Sequence, residues 1–108
     1  MDLTKFQQEH REWVTKNFGI PCPERINQPI LGAVEELGKL ARAQLKYEQG
    51  IRGYDKHRYF KEFADSIGDI VIYLTDACSC NGLSFEEVLE RTWEQVRKRD
   101  WTRNRVTG

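Results

Sequence analysis

Acidic side chains recur on one side of a predicted helix in the second half of the chain, in a stripe formed by Glu62, Asp65, Asp69 and Asp76. Asp65 and Asp69 are i,i+4 neighbours, whose β-carbons lie about 5–6 Å apart on a helix. Like charges at that spacing destabilise a helix unless a positive charge lies between them. The apolar run Ile70–Leu74 follows at once, so we expect this helix and its stripe to be mostly buried. Carboxylates in a partly dry setting favour a bound cation.

A second pair of acids, Glu35 and Glu36, occupies an earlier helix. Gly32 and Ala43 share a face with Glu36 and leave room for a close neighbour. If the two helices pack antiparallel, Glu36 faces Asp69 across the groove. Such an all-oxygen cluster suits magnesium or manganese, and magnesium held by carboxylates commonly serves a phosphate-bearing substrate. The competing interpretation is an ordinary solvated helix face.

The sequence predicts four helices, two of which carry these acidic residues. Apolar positions recur at three- and four-residue spacing, and Gly19, Gly50 and Asn81-Gly82 are typical helix ends. The segment Pro21-Cys22-Pro23 predicts an extended connector. No period-2 strand pattern is present, so we predict an all-α, four-helix up-down bundle. The predicted helices are Leu3–Phe18, Gln28–Gln49, Lys56–Cys80 and one from the capping box Ser84-x-x-Glu87 to about Trp101.

Composition limits the function classes. The 108 residues carry 17 Lys+Arg and 17 Asp+Glu, and this neutral balance argues against binding a nucleic-acid polymer. No apolar run is long enough to cross a membrane. We expect one domain, 1–108, with residues 102–108 as a frayed tail. Two of the helices are long for so small a core, which favours completion of the bundle by a homodimer or homotetramer.

The three cysteines, Cys22, Cys78 and Cys80, are an odd number. The N-terminal residues do not read as an export signal. We therefore expect reduced thiols and a cytoplasmic protein. A zinc site is disfavoured, because C-x-C is a poor chelating spacing and neither histidine is suitably placed.

Several other side chains admit two interpretations. Lys46 and Arg52 fit phosphate contacts, although basic residues near helix C-termini also favour the helix dipole. The tryptophans Trp13, Trp93 and Trp101 suit either base stacking or the core. Tyr73, beside Asp69, is a candidate to hydrogen-bond a carboxylate or a ligand, and His10 is expected to be a satisfied core histidine.

The chain resembles the MazG-like nucleotide pyrophosphohydrolases, of the all-α NTP pyrophosphatase superfamily. The resemblance covers nearly the whole chain in order and is carried by these segments: Trp13 with Asn17-Phe18, Leu31–Gly38, Lys46, Gly50-Ile51-Arg52, Asp65–Leu74 and Arg99-Asp100-Trp101. It implies a magnesium-dependent hydrolase that converts a nucleoside triphosphate to the monophosphate and pyrophosphate. It also implies a helical dimer or tetramer.

The resemblance further implies the site residues. Glu35 and Glu36 match the first two acids of a Glu-Glu-x-x-Glu motif, and Lys39 stands at the third. Asp69 matches the Asp of Glu-x-x-Asp, whose Glu position falls on Ser66, next to Asp65. The register Glu62-x-x-Asp65 also fits the letters, but it puts the apolar run four residues too late.

We therefore predict a site with Glu36 and Asp69 as metal ligands for Mg²⁺ or Mn²⁺. Asp65 and Glu35 support them or orient water. Predicted substrate contacts are Lys39, Lys46, Arg52, Trp13, Tyr73 and Trp101. Because Lys39 replaces an acid, a nucleotide-binding protein with weak or no hydrolysis is the alternative. A purely structural or partner-binding bundle is the third reading.

Overall fold

A computed structural model of the chain describes residues 1–19, 22 and 24–108 and contains four α-helices. They are α1 (Leu3–Phe18), α2 (Gln28–Gln49), α3 (Lys56–Cys80) and α4 (Phe85–Val96). No β-strand occurs among these residues. The all-α prediction is confirmed, and the bounds of α1, α2 and α3 are those that the sequence predicts.

Local signals explain these bounds. The side chain that precedes three of the helices accepts a hydrogen bond from a backbone N–H three residues later, at Asp2, Asp55 and Ser84. Helices α1 and α2 end at glycines with φ of 67° and 66°, a left-handed conformation that glycine adopts without steric cost.

Helix α4 is shorter than predicted, because it ends at Val96 and not near Trp101. Every residue from position 87 to 96 is exposed, so no packing extends the helix beyond its intrinsic preference. The chain continues in turns, in which the side chains of Asp100 and Asn104 accept backbone hydrogen bonds.

Helices α2 and α3 form an antiparallel hairpin. Near one end Gly32 lies against Tyr73, and a Cβ on Gly32 would stand 2.3 Å from Cε1 of that ring. Near the other end the Tyr59 hydroxyl donates to Oε1 of Gln44 across 2.6 Å. Ala43 is fully buried between them. The small residues of α2 therefore permit the close approach that the sequence predicts.

Helix α1 is fixed to the turn between α3 and α4 by one buried glutamine. Nε2 of Gln7 donates to the Ser79 hydroxyl at 3.1 Å and to the Leu83 carbonyl at 2.9 Å. Its Oε1 accepts from the Phe85 backbone N–H at 2.9 Å. Gln7 is thus satisfied at both ends, as a buried amide must be.

Two links tie the connector between α1 and α2 to the end of α3. Arg25 donates to both carboxylate oxygens of Asp76, at 2.6 and 2.8 Å, and both side chains are buried. Cys22 and Cys80 form a disulfide bond, so the prediction of three reduced thiols is wrong. Cys78 stays a free thiol, and burial raises its pKa. The extended connector predicted at 21–23 lies outside the described residues except for Cys22.

The hydrophobic core of the single chain is thin. Among the described residues, only three hydrophobic side chains count as buried, Val14, Ala43 and Tyr54. The radius of gyration is 17.3 Å, whereas a compact domain of this length has about 13 Å. Many large apolar side chains on α2 and α3 are instead exposed.

These side chains form what we call the apolar face: Ile30, Val34, Leu37 and Leu45 of α2 with Phe60, Ile67, Val71 and Leu74 of α3, all exposed. On each helix, at 100° per residue, these side chains lie roughly a third to a half of a turn past the residues that contact the other helix. Viewed along a common axis, the two antiparallel chains wind in opposite senses, so offsets of similar size place both sets of side chains on the same side of the hairpin. No helix among the described residues is long and apolar enough to cross a bilayer.

Candidate active site

Two cavities meet at one pair of carboxylates on the side of the hairpin opposite the apolar face. The aromatic cavity, of about 460 Å³, is bounded by α1, the connector, α2 and α3. The charged cleft, of about 400 Å³, lies between α2, the loop that follows it and the first half of α3, and four carboxylates and three cations line it. Glu36 and Asp69 line both cavities. These two residues therefore form a shared boundary, and a ligand in either cavity would lie next to them.

The more buried member of this pair already has a cationic partner. Glu36 is 6 % exposed, and its Oε1 accepts from Nζ of Lys39 at 3.0 Å. The hydrogen bond to Glu36 and that carboxylate's charge raise the pKa of Lys39, with smaller contributions from Glu35 and Asp69. Lys39 is thus a permanent positive charge among three carboxylates.

The acidic stripe divides into three environments. Only Asp76 is deeply buried, facing the connector, where Arg25 neutralises it. Glu62 is bonded to Arg58 at 3.1 Å. Asp65 is bonded to Lys61 at 3.0 Å, and its side chain is 63 % exposed. The expectation that the stripe is mostly buried is wrong, because Asp65 and Asp69 are exposed and none of the described elements covers them.

Asp69 is exposed and forms no hydrogen bond or ion pair with any residue that the structure describes. Those residues also include no group of three or more His, Cys, Asp or Glu side chains that could hold a metal ion. Magnesium, however, is often bound by one or two carboxylates together with phosphate oxygens and water. Glu36 and Asp69 fit an ion that binds together with a phosphate ligand, and they do not form a complete cage for one.

Three aromatic rings of α1 line or border the aromatic cavity. The rings of His10 and Trp13 stack with centroids 5.9 Å apart, and Phe18 meets Trp13 edge-on. Trp13 remains 53 % exposed although His10 stacks on it, so part of the indole is open to a planar ligand. Tyr73 also lines this cavity.

His10 differs from its predicted role. Its Nδ1 is buried and has no hydrogen-bond partner among the described residues, so it is not a satisfied core histidine. Burial lowers the pKa of His10; the charge of Asp76 opposes this shift and that of Arg25 adds to it. Burial therefore disfavours the charged imidazolium form, and Nδ1 is a polar atom beside the cavity without a partner among the described residues.

The structure separates the predicted substrate contacts into two groups. Trp13 and Tyr73 line the aromatic cavity, and Lys39 lines the charged cleft. The other predicted residues line neither of these two cavities: Lys46, Arg52, Trp101 and the supporting acid Glu35. Nζ of Lys46 donates instead to the Gln49 side chain, and the backbone carbonyl of Arg52 accepts from Arg58.

Four polar residues at these cavities escape the sequence reasoning: Arg25 and Gln28 in the aromatic cavity, Arg42 and Arg58 in the cleft. Arg42 had a usable signal, since it lies three residues after Lys39 and so on the same helix face. For Arg25 the signal in the sequence is indirect, because a carboxylate at Asp76 among apolar neighbours requires a cation from another part of the chain.

Compared with known proteins, the chain matches no family model, and no curated sequence or solved structure is significantly similar to it.

Proposed function

We propose that this protein is a magnesium-dependent nucleoside triphosphate pyrophosphohydrolase of the MazG-like type. The reaction takes a nucleoside triphosphate and water to the nucleoside monophosphate and pyrophosphate, with cleavage of the anhydride bond between the α- and β-phosphates. The observation that carries the proposal is the position of Glu36 and Asp69. They separate a cavity with aromatic walls from a cleft lined by three cations and four carboxylates, two of which are Glu36 and Asp69 themselves.

Each part of a nucleotide finds matching chemistry in this arrangement. The exposed face of Trp13 and the neighbouring polar groups suit a base and its sugar in the aromatic cavity. A cavity of about 460 Å³ is in the size range of small-ligand pockets. The α-phosphate then lies near Glu36 and Asp69. Asp65, which lines the cleft on the same helix as Asp69, is the candidate to accept a proton from the attacking water.

Glu36 and Asp69 would hold the magnesium ion, which when bound neutralises phosphate charge and polarises the phosphorus–oxygen bonds. The chain's own contribution is to position the nucleotide and to keep two hard oxygen donors at the junction of the cavities. Lys39 supplies positive charge to Glu36 before any ligand is bound.

A panel of ribo- and deoxyribonucleoside triphosphates, incubated with Mg²⁺ or Mn²⁺, tests the proposal. We expect equimolar monophosphate and pyrophosphate from at least one of them, identified by chromatography and mass spectrometry. Nucleoside diphosphate and inorganic phosphate as products would contradict the proposed bond cleavage. Absence of turnover across the panel would contradict hydrolysis itself.

A second candidate function is nucleotide binding without hydrolysis. The observation that favours it is the bond from Lys39 to Glu36, because the ammonium group occupies an oxygen that a metal ion would otherwise use. This candidate predicts a higher melting temperature with a triphosphate present and no product release. The hydrolase proposal predicts both binding and release.

We also propose that a second copy of the chain covers the apolar face and completes the bundle. Burying several leucine-sized side chains is worth about 1.5–3 kcal/mol each, which a single chain forgoes here. Since this face and the candidate site lie on opposite sides of the hairpin, a partner copy leaves the site open. Light scattering after size exclusion should give a dimer or tetramer, and Val34→Glu should shift it toward monomer. A wild-type monomer would contradict the proposal.

A further inference from the structure

Helix α4 carries a stripe of apolar side chains that none of the described elements covers. At 100° per residue these side chains fall within about 140° of the helix circumference, with Thr92 near the middle. We call this set the α4 stripe: Phe85, Val88, Leu89, Trp93 and Val96. The last four are 39–60 % exposed. An amphipathic helix with this pattern normally packs its apolar side against another element.

Helix α4 is attached to the rest of the chain through its first turn. The backbone N–H of Phe85 donates to Gln7, and the Thr4 hydroxyl donates to the Glu86 carboxylate. Every residue from position 87 to 96 is exposed. Within the described part of the chain, α4 contacts α1 and α3 but not α2. The α4 stripe is therefore a second uncovered surface, on a helix that contributes nothing to the apolar face.

Charge is divided unevenly along the same helix. Residues 85–90 include three acids and no base, whereas residues 91–99 include four bases and one acid. The acids of the first half are Glu86, Glu87 and Glu90. The bases that follow are Arg91, Arg97, Lys98 and Arg99. Two copies of α4 laid antiparallel would bring each half against the opposite charge, and two parallel copies would bring like charges together.

Ion pairs within the chain leave most of the acidic half without cations. Arg97 and Lys98 share one acid, Glu94, at 2.7 and 3.4 Å. Glu86, Glu90 and Glu94 follow one another at i,i+4 spacing, where like charges destabilise a helix. Acids first and bases last also suit the helix dipole, but the dipole gives no reason for an uncovered apolar stripe. A second copy would supply cations to the acids and cover the stripe at the same time.

The antiparallel register follows from the position of Thr92. It has the smallest side chain near the middle of the stripe, so two helices can approach there most closely. Pairing centred on Thr92 brings Leu89 near Val96 of the second copy, to within one residue. It brings Glu86 near Arg97 of the second copy by the same rule. Each of these contacts occurs twice, as two-fold symmetry requires.

The length of α4 limits what this contact can do alone. A helix of 12 residues is about 18 Å long, and such a pair buries less than the roughly 800 Å² per partner that a stable complex needs. The contact therefore depends on a second one. Two different two-fold contacts on one chain close a tetramer in which each contact occurs twice, and the two weak contacts then reinforce one another.

We infer that α4 is a second interface between copies of this chain, in which it packs antiparallel against α4 of another copy. This interface joins two dimers formed through the apolar face into a tetramer. The inference rests on the proposed function only for the dimer that the apolar face forms, and it does not depend on hydrolysis.

Light scattering after size exclusion, at one fixed protein concentration, tests the inference. We expect a tetramer for wild type and a dimer for Leu89→Glu, which places a charge in the α4 stripe. Val34→Glu removes the apolar-face contact, so the short α4 pair alone should leave a monomer. Glu87→Gln, on the opposite side of α4, is the matched control and should remain a tetramer. Circular dichroism should show equal helicity in all four proteins.

Charge reversal tests the antiparallel orientation. Arg97→Glu places two acids together at each end of the pair and should shift the tetramer toward dimer. Adding Glu86→Arg to that variant restores opposite charges and should restore the tetramer. Failure of the double variant to recover, with helicity intact, would contradict the antiparallel pairing.

A wild-type dimer, or a tetramer that Leu89→Glu leaves intact, would overturn the α4 interface while leaving the apolar-face dimer in place. Association that Leu89→Glu abolishes and Val34→Glu leaves intact would support the α4 interface and contradict the apolar-face dimer. A wild-type monomer would contradict both. Turnover of triphosphates is measured separately, so failure of the hydrolase proposal does not alter these outcomes.

Discussion

Nζ of Lys39 lies 3.0 Å from Oε1 of Glu36, one helical turn earlier on α2, so an ammonium group neutralises the more buried of the two candidate metal ligands. Any divalent cation that uses Glu36 must displace this hydrogen bond. The Lys39 ammonium group and a metal ion therefore compete for the same Glu36 oxygen, and the first prediction follows from this competition.

Replacing Lys39 by glutamate should strengthen metal binding. Lys39→Glu removes the competing charge and adds a third carboxylate near Glu36 and Asp69. Changes of partner around a metal ligand commonly alter affinity by about 10–100-fold, and we expect an increase of that order for Mg²⁺ or Mn²⁺ in isothermal titration. The control is Lys98→Glu, just after the end of α4, which also removes a lysine paired with a carboxylate. Equal affinity in Lys39→Glu and wild type would contradict the competition.

Breaking the buried ion pair should destabilise the fold strongly. Asp76→Asn removes the carboxylate charge from the buried ion pair with Arg25, a change that costs roughly 3–5 kcal/mol. Urea denaturation followed by circular dichroism measures the loss. Glu94→Gln, which removes an exposed partner of Arg97, should change the free energy of unfolding little. Similar small effects in both variants would show that the Arg25–Asp76 pair is not buried.

Stability should fall as the pH drops through the range in which histidine titrates. The folded-state pKa of His10 lies below its ordinary value of 6.5, so the unfolded chain binds the proton more readily. The contribution of neutral His10 to the free energy of unfolding is therefore fully present above about pH 6.5 and is lost as the pH falls toward the folded-state pKa.

Melting temperatures at about pH 7.5 and about pH 5.5 measure this dependence. His10→Gln should reduce the difference between the two values, whereas His57→Gln, at the exposed start of α3, should leave it as in wild type. If His10→Gln keeps the full wild-type difference, another group is responsible.

The disulfide bond predicts a thiol count and a stability change. Protein purified without reductant and then unfolded should show one reactive thiol, Cys78, and three after reduction. The bond joins residues 58 apart in sequence, and its loss should cost roughly 2–4 kcal/mol. Cys22→Ser should reproduce that loss and Cys78→Ser should not. Three reactive thiols before reduction would contradict the bond.

The elements that the sequence predicts best are those set by neighbouring residues. Asp2, Gly19 and Gly50 act within one turn of the helix ends they define, so local pattern suffices for α1 and α2. The end of α4 is predicted too late because it depends on the absence of packing partners, which no local pattern reports. Helix periodicity also places Glu36 and Asp69 on facing positions once an antiparallel hairpin is assumed.

Long-range partners account for what the sequence reasoning misses. Arg25 meets Asp76 across 51 residues, and Cys22 meets Cys80 across 58. Both links start in a connector whose path has no periodicity to read. Arg58 enters the cleft only because the loop after α2 folds under it. The charges of a site can thus be counted from sequence, but their pairing depends on where loops bring them together.

The most direct test of the central claim is the rate of pyrophosphate release by wild type, Asp69→Asn and the control Glu90→Gln on α4, each with Mg²⁺ and its best triphosphate. We expect release by wild type and Glu90→Gln, and a loss of at least about 100-fold in Asp69→Asn, because an amide replaces the carboxylate of a proposed metal ligand. Circular dichroism should show the same helicity in all three. Wild-type turnover in Asp69→Asn would contradict the assignment of Glu36 and Asp69 as the catalytic centre.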